Sequence, residues 1–170
     1  PTNGYSRHWM DYLYRLINRC NTVIDLIDER PEIKYSTDTK KNELRAEAVL
    51  MRAWSYRLLA ALYGNIPILD HRTTETKFDY APNTRQEIWE FMKTDLEWAE
   101  QNLPKKARML GTVTAPVAGI YLAEVNLALG NFQEAVDAAT RVISKQDGDY
   151  NIMTTRFGSR KNETTDRYGK

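Results

Sequence analysis

Apolar residues recur along most of this chain at steps of three and four, the period that keeps them on one face of an α-helix. Between about Arg7 and Glu29 they are Trp9, Leu13, Leu16, Cys20, Val23 and Ile27, with Asp11, Arg15, Asn18 and Asp25 falling largely on the other side. Pro31 ends this first helix, because proline lacks the amide that a further turn requires. The turn-rich Tyr35-Ser36-Thr37-Asp38 leads into a second helix, from near Thr39 to Tyr63. On it Leu44, Ala48, Met51, Ser55, Leu58 and Leu62 share one face, and Arg45, Arg52, Tyr56 and Tyr63 form a second, polar and aromatic stripe. So little water-facing surface remains that this helix must be packed around most of its circumference. Gly64-Asn65 stops it, and Ile66-Pro67-Ile68-Leu69 reads as an extended exit.

From Gly64 to Asn83 the helical period vanishes, and Pro67 and Pro82 punctuate the stretch. Segments this long without structure of their own are uncommon in compact domains and are often functional. A third helix opens on the capping box Thr84-Arg85-Gln86-Glu87 and carries Ile88, Met92, Leu96, Ala99 and Leu103 until Pro104 stops it. Thr114 is positioned to cap a fourth helix with Pro116 in its first turn, and Ala118, Leu122, Val125 and Leu129 form its face. Gly130-Asn131 then makes a tight turn into a fifth helix, with Phe132, Ala135, Ala139, Val142 and Ile143 on the returning face. Leu129 to Ala135 follows the logic of a tetratricopeptide hairpin: glycine permits the left-handed turn, Phe132 plugs the pair, and Ala135 lets the helices approach. The earlier helices do not repeat this motif at about 34 residues, so no regular array is expected. The predicted class is all-α: tetratricopeptide-like antiparallel helical hairpins with one long irregular loop. Residues 1–157 form the expected domain, with Tyr150, Ile152, Met153 and Phe157 its last apolar anchors, and 158–170 form a polar, exposed or disordered tail.

A chain of 170 residues fits one domain. Its 24 basic and 23 acidic residues leave a net charge of +1, so nucleic acid has no electrostatic footprint to bind. Cys20, alone of its type, excludes an internal disulfide and any multi-cysteine zinc site, and its place on an apolar stripe makes it a small buried hydrophobe. His8 and His71 lie without partners at ligand spacing, so neither a metal nor a cofactor is expected. The chain carries no nucleophile elbow, no cysteine–histidine pair and no glycine-rich phosphate loop. Carboxylates such as Glu43 and Glu47 read as solvated helix faces rather than the flanking pair a glycosidase needs. An enzyme is therefore not expected. No eighteen-residue apolar run is present, and the opening Pro1-Thr2-Asn3-Gly4 is what a processed or truncated product would show.

Sugars bind by laying apolar C–H faces on aromatic rings while polar side chains take the hydroxyls, which requires exposed aromatics beside polar groups. Two clusters satisfy this: Tyr5, Arg7 and Trp9 at the start of the first helix, and Phe78, Asp79 and Tyr80 in the long loop. Trp54, Tyr56, Trp89 and Trp98 fall mid-helix, where core packing is the expected role.

Taken in order, several blocks resemble the N-terminal helical part of the SusD/RagB family of nutrient-binding outer-membrane lipoproteins. They are Ile17-Asn18-Arg19-Cys20-Asn21 with Val23-Ile24; Arg45-Ala-Glu-Ala through Arg52-Ala-Trp-Ser-Tyr56; and Leu62-Tyr-Gly-Asn-Ile-Pro-Ile68, close to the family's "GDVPL" exit. Arg85 with Ile88-Trp89, Asp95-Leu96 and Leu103-Pro104 follows, and then Leu122-Ala123 and Leu129-Gly130-Asn131-Phe132 with Glu134-Ala135. The resemblance implies a non-catalytic glycan-binding component, located at the cell outer membrane and working with a SusC-like TonB-dependent transporter. Its implied ligand is an oligosaccharide or other nutrient, with no nucleic acid. Contact with the membrane is expected only through a lipid anchor missing from this chain, which is expected to be a fragment. Thr112 stands where many members carry arginine, and Pro116 and Gly119 are unusual for the family. The alternative is a helical, tetratricopeptide-like protein-interaction scaffold without sugar binding.

Overall fold

A computed structural model describes residues 4–144, apart from the side chains of residues 5 and 6. The proposed domain end at 157 and the tail from 158 lie outside the described residues. Five α-helices follow one another: α1 (Gly4–Glu29), α2 (Asp38–Tyr63), α3 (Arg85–Asn102), α4 (Ala115–Leu129) and α5 (Phe132–Ile143). Each packs against its neighbour in sequence. Cross-helix pairs such as Arg45–Trp98 and Arg52–Asp95 show α2 and α3 running antiparallel. The described residues contain no strand, only an isolated antiparallel bridge between Ile66 and Asn83.

The helix ends follow from local chemistry. The Thr37 side chain accepts the Lys40 amide at the start of α2. At α3 the capping box closes in both directions, Thr84 accepting the Glu87 amide and Glu87 accepting the Thr84 amide. Gly130, at φ 79° and ψ 11°, ends α4 in the left-handed region. There its amide donates to the Leu127 carbonyl and that of Asn131 to the Asn126 carbonyl, a Schellman arrangement. The expected Thr114 cap does not form, since its side chain bonds no backbone amide at the start of α4, and Asn131 makes no side-chain cap to α5.

Side-chain burial corrects the predicted faces. On α1 the core stripe is Leu13, Ile17, Cys20, Ile24 and Ile27, whereas Trp9 and Val23 are nearly half exposed. On α2 the stripe assigned to polar and aromatic residues is the more deeply buried: Arg52 and Tyr56 sit inside while Leu62 is exposed. The reason is that Arg52 and Tyr56 face α1, α3 and the segment after Gly64, which together cover that side of α2. Phe132 does not plug the last hairpin. It is 68% exposed, and Ala135 and Ala138 make the close approach to α4 instead. Gly119 is where α3, α4 and α5 converge, with Glu100 Oε1 and Val142 Cγ2 each 2.9 Å from the position a β-carbon would take.

Candidate functional site

Residues 67–73 form a strap that climbs α1 toward its C-terminus, held by polar side chains from one stripe of that helix. Tyr14 donates its hydroxyl to the Pro67 carbonyl at 2.7 Å. The Asn21 amide donates to the carbonyls of Leu69 and His71 at 2.8 and 2.9 Å. Asp25 accepts the Arg72 amide at 2.8 Å and contacts His71 Nδ1 at 3.0 Å, and Glu29 takes the Arg72 guanidinium. Asn18 accepts the Thr73 amide at 2.7 Å. Positions 14, 18, 21, 25 and 29 are spaced by three and four, so they form a ladder of side chains replacing the sheet partner an extended backbone would otherwise need. Asp25 and Asn21 are therefore buried rather than solvated, correcting the placement of Asp25 on the water-facing side.

From α2, Arg52 fixes the middle of the strap. Its guanidinium grips Asp95 of α3 through Nε and Nη2, both at 2.8 Å, while Nη1 donates to Asn21 Oδ1 and the Asp70 carbonyl at 2.8 and 2.9 Å. The Tyr56 hydroxyl accepts the Leu69 amide. Arg45, Arg52 and Arg57 of α2 each pair with a carboxylate and an aromatic ring: Asp28 and Trp98, Asp95 and Phe91, Glu124 and Tyr121. Burial pushes the Asp95 carboxyl up against the pull of Arg52. Burial also pushes the Cys20 thiol up to about 11, with Arg52 pulling it back. Asp25 also resists ionisation through burial, but the Arg72 amide and the His71 ring outweigh this and hold its carboxyl below the ordinary value. The same Asp25 bond, reinforced by Asp70, raises His71.

At its far end, the Ile68 amide bonds Asn83 Oδ1, and the Asn83 amide bonds the Ile66 carbonyl. The strap and this clasp leave 74–82 as an exposed loop with anchored ends. In it Phe78 is 93% exposed and Tyr80 38%. Lys77 lies 5.2 Å from the Tyr80 ring centre and 3.9 Å from the Asp79 carboxylate. Phe78, Asp79 and Tyr80 thus share one accessible loop, joined by Lys77, which the sequence reading passed over. At the other predicted cluster, Arg7 is exposed, and Trp9 is 46% exposed and meets Tyr12 edge-on at 6.2 Å. The Tyr5 side chain is outside the described residues. At about 100° per residue, Trp9 and Tyr12 stand on the flank of α1 roughly opposite the strap. No hydrogen bond or ring contact among the described residues joins the two clusters. Tyr12, missed in the sequence reading, was signalled only by its three-residue spacing from Trp9.

On that opposite flank a largely apolar groove of about 520 Å³ runs between α1 and α2, lined by Leu16, Val23, Leu26, Leu44 and Met51 among others. Among the described residues no group of three or more histidine, cysteine or acidic side chains could hold a metal ion. No helix among them is long and apolar enough to cross a membrane.

Residues 2–127 match the model of a SusD-like family described as starch-binding, associating with the outer membrane. The chain belongs to the SusD-like family. It is 29% identical over 146 residues to SusD-like protein P2 of Formosa agariphila, covering 85% of this chain and 28% of that protein. A SusD superfamily crystal structure from Bacteroides thetaiotaomicron superposes with a TM-score of 0.76 at 26% identity, over 84% of this chain and 33% of that one. A crystal structure with xylogluco-oligosaccharide shares the fold at a TM-score of 0.72 and 23% identity, over 81% of this chain and 29% of that one. The SusD-like chain described here thus spans about a third or less of the length of these relatives.

Proposed function

We propose that this chain is part of a non-catalytic glycan-binding component of an outer-membrane nutrient-uptake system, and that loop 74–82 meets the saccharide. The observation that carries the reading is the loop itself. A strap fixed by Asn18, Asn21, Asp25 and Arg52 delivers the open ring of Phe78 beside Tyr80, Asp79 and Lys77. Stacking on the ring would supply affinity, and the charged neighbours would read hydroxyl positions. The family's description as starch-binding, and the xylogluco-oligosaccharide in one relative's crystal, support a glycan as the ligand class. Capture would hand the sugar to a SusC-like TonB-dependent transporter, with membrane attachment of the whole protein through a lipid anchor.

The test is affinity electrophoresis through gels containing starch, laminarin or xyloglucan. At least one glycan should retard the chain, and Phe78→Ala should weaken retardation about tenfold while leaving the unfolding curve unchanged. No retardation in any gel, or retardation indifferent to Phe78, overturns the assignment. Release of reducing ends would replace it with hydrolysis. The apolar α1–α2 groove favours a second reading, a protein-docking scaffold. Co-purification with an outer-membrane barrel in the absence of any glycan shift would support that instead.

A further inference from the structure

A second cleft, of about 400 Å³, opens where the end of α1, the first half of α2 and the second half of α3 meet. No residue of the strap or of loop 74–82 lines it. Its floor is the Arg52–Asp95 pair, already saturated by its own bidentate bonds. At its mouth Arg45 grips Asp28 through Nε and Nη2, at 3.1 and 2.9 Å, and its guanidinium lies 4.6 Å from the Trp98 ring centre. Each of these cations therefore has its own carboxylate. Lys41 has none. It lines the same cleft and is partly buried, yet among the described residues its ammonium has no hydrogen-bond or ion-pair partner. The adjacent Asn42 amide and the Nη1 group of Arg45 are likewise unpartnered among the described residues.

The cleft thus combines one uncompensated positive charge, a surplus of donors, a carboxylate acceptor and the Trp98 ring with the Arg45 guanidinium laid over it. A cation at the wall of a cleft gains more from an incoming anion than one on an open surface, because less solvent screens the pair. A neutral sugar would leave that charge unmatched, and a bare carboxylate would leave Asn42 unused. We propose that this cleft is a second saccharide site, selective for acidic sugars that carry a carboxylate. The carboxylate would lie on Lys41, with hydroxyls on Asn42 and Asp28 and the pyranose beside the stacked Arg45–Trp98 pair. The assignment does not depend on the role given to loop 74–82.

The experiment is a titration of the ¹⁵N-labelled chain with sodium glucuronate and sodium galacturonate, with glucose and sodium acetate as controls. The Trp98 indole signal is assigned with Trp98→Phe. One of the uronates should shift the Trp98 indole and the Lys41 and Asn42 amides saturably. Glucose and acetate should act at least about tenfold more weakly, and Lys41→Met should lower uronate affinity by about tenfold or more with the circular dichroism unchanged. An equal response to acetate would reduce the cleft to an adventitious anion site and overturn the proposal. So would undiminished binding by Lys41→Met, or the absence of saturable shifts at Trp98. Shifts confined to 74–82 would overturn the cleft assignment while leaving the loop reading standing.

Discussion

Replacing Arg52 by methionine removes a group whose hydrogen bonds tie α1, α2, α3 and the strap together. Both members of its pair with Asp95 are 8% exposed, so the variant strands a carboxylate in the interior and leaves Asn21 Oδ1 and the Asp70 carbonyl without their donor. Breaking a buried pair by deleting one partner costs about 3–5 kcal/mol, against a total stability of about 5–15 kcal/mol for a domain. Urea unfolding followed by far-ultraviolet circular dichroism should therefore show a loss of about 4 kcal/mol. The companion variant, Arg52→Met with Asp95→Leu, removes the stranded charge. It should recover most of that loss, because apolar side chains of similar volume commonly replace a buried pair with little cost. The strap does not recover with it. Without the hold on Asp70, the amides of Leu69, Arg72 and Thr73, which bond Tyr56, Asp25 and Asn18, should lose about tenfold of their hydrogen-exchange protection. The reasoning fails if the single variant loses less than about 1 kcal/mol, or if the double variant is as unstable as the single one.

Two further outcomes are expected. Gly119→Ala should lower thermal stability by about 1–3 kcal/mol despite alanine's better helix propensity, since its β-carbon would press on Val142 and on a Glu100 carboxylate pinned by Arg141. An unchanged or higher melting temperature would show that α5 can move aside. The His71–Asp25 contact should hold the strap most firmly in mildly acidic solution. The raised His71 value makes its contribution full below 6.5 and lost as pH climbs through the folded value. The lowered Asp25 value makes its own contribution present above 3.8 and lost as pH falls. After correction for intrinsic exchange, Arg72 should be better protected at mildly acidic than at alkaline pH, and His71→Ala should erase that difference.

The helices were legible because their signals are local: Thr84 and Glu87 name a helix start, and Gly130 names an end, whatever surrounds them. The faces were less so. Val23 and Phe132 are apolar at helical spacing but look outward, because spacing says which residues share a side and not which side the rest of the molecule covers. Asn18 and Asp25 looked like part of a polar outer side, and Asn21 had no structural task assigned to it. Their true task was readable only by asking what would bond the amides and carbonyls of an extended segment with no neighbouring strand. The aromatic loop could be found from composition, whereas Lys77 and Tyr12 acquire their roles only through ring contacts formed on folding.

Because the Ile66–Asn83 bridge and the strap pin both ends of loop 74–82, its contents are mechanically decoupled from the helices that carry it. Doubling the length of such a closed loop costs only about 0.6 kcal/mol in chain entropy. Insertions and wholesale rewriting there should be absorbed without remodelling the chassis. Sequence change is therefore expected to concentrate in that short span.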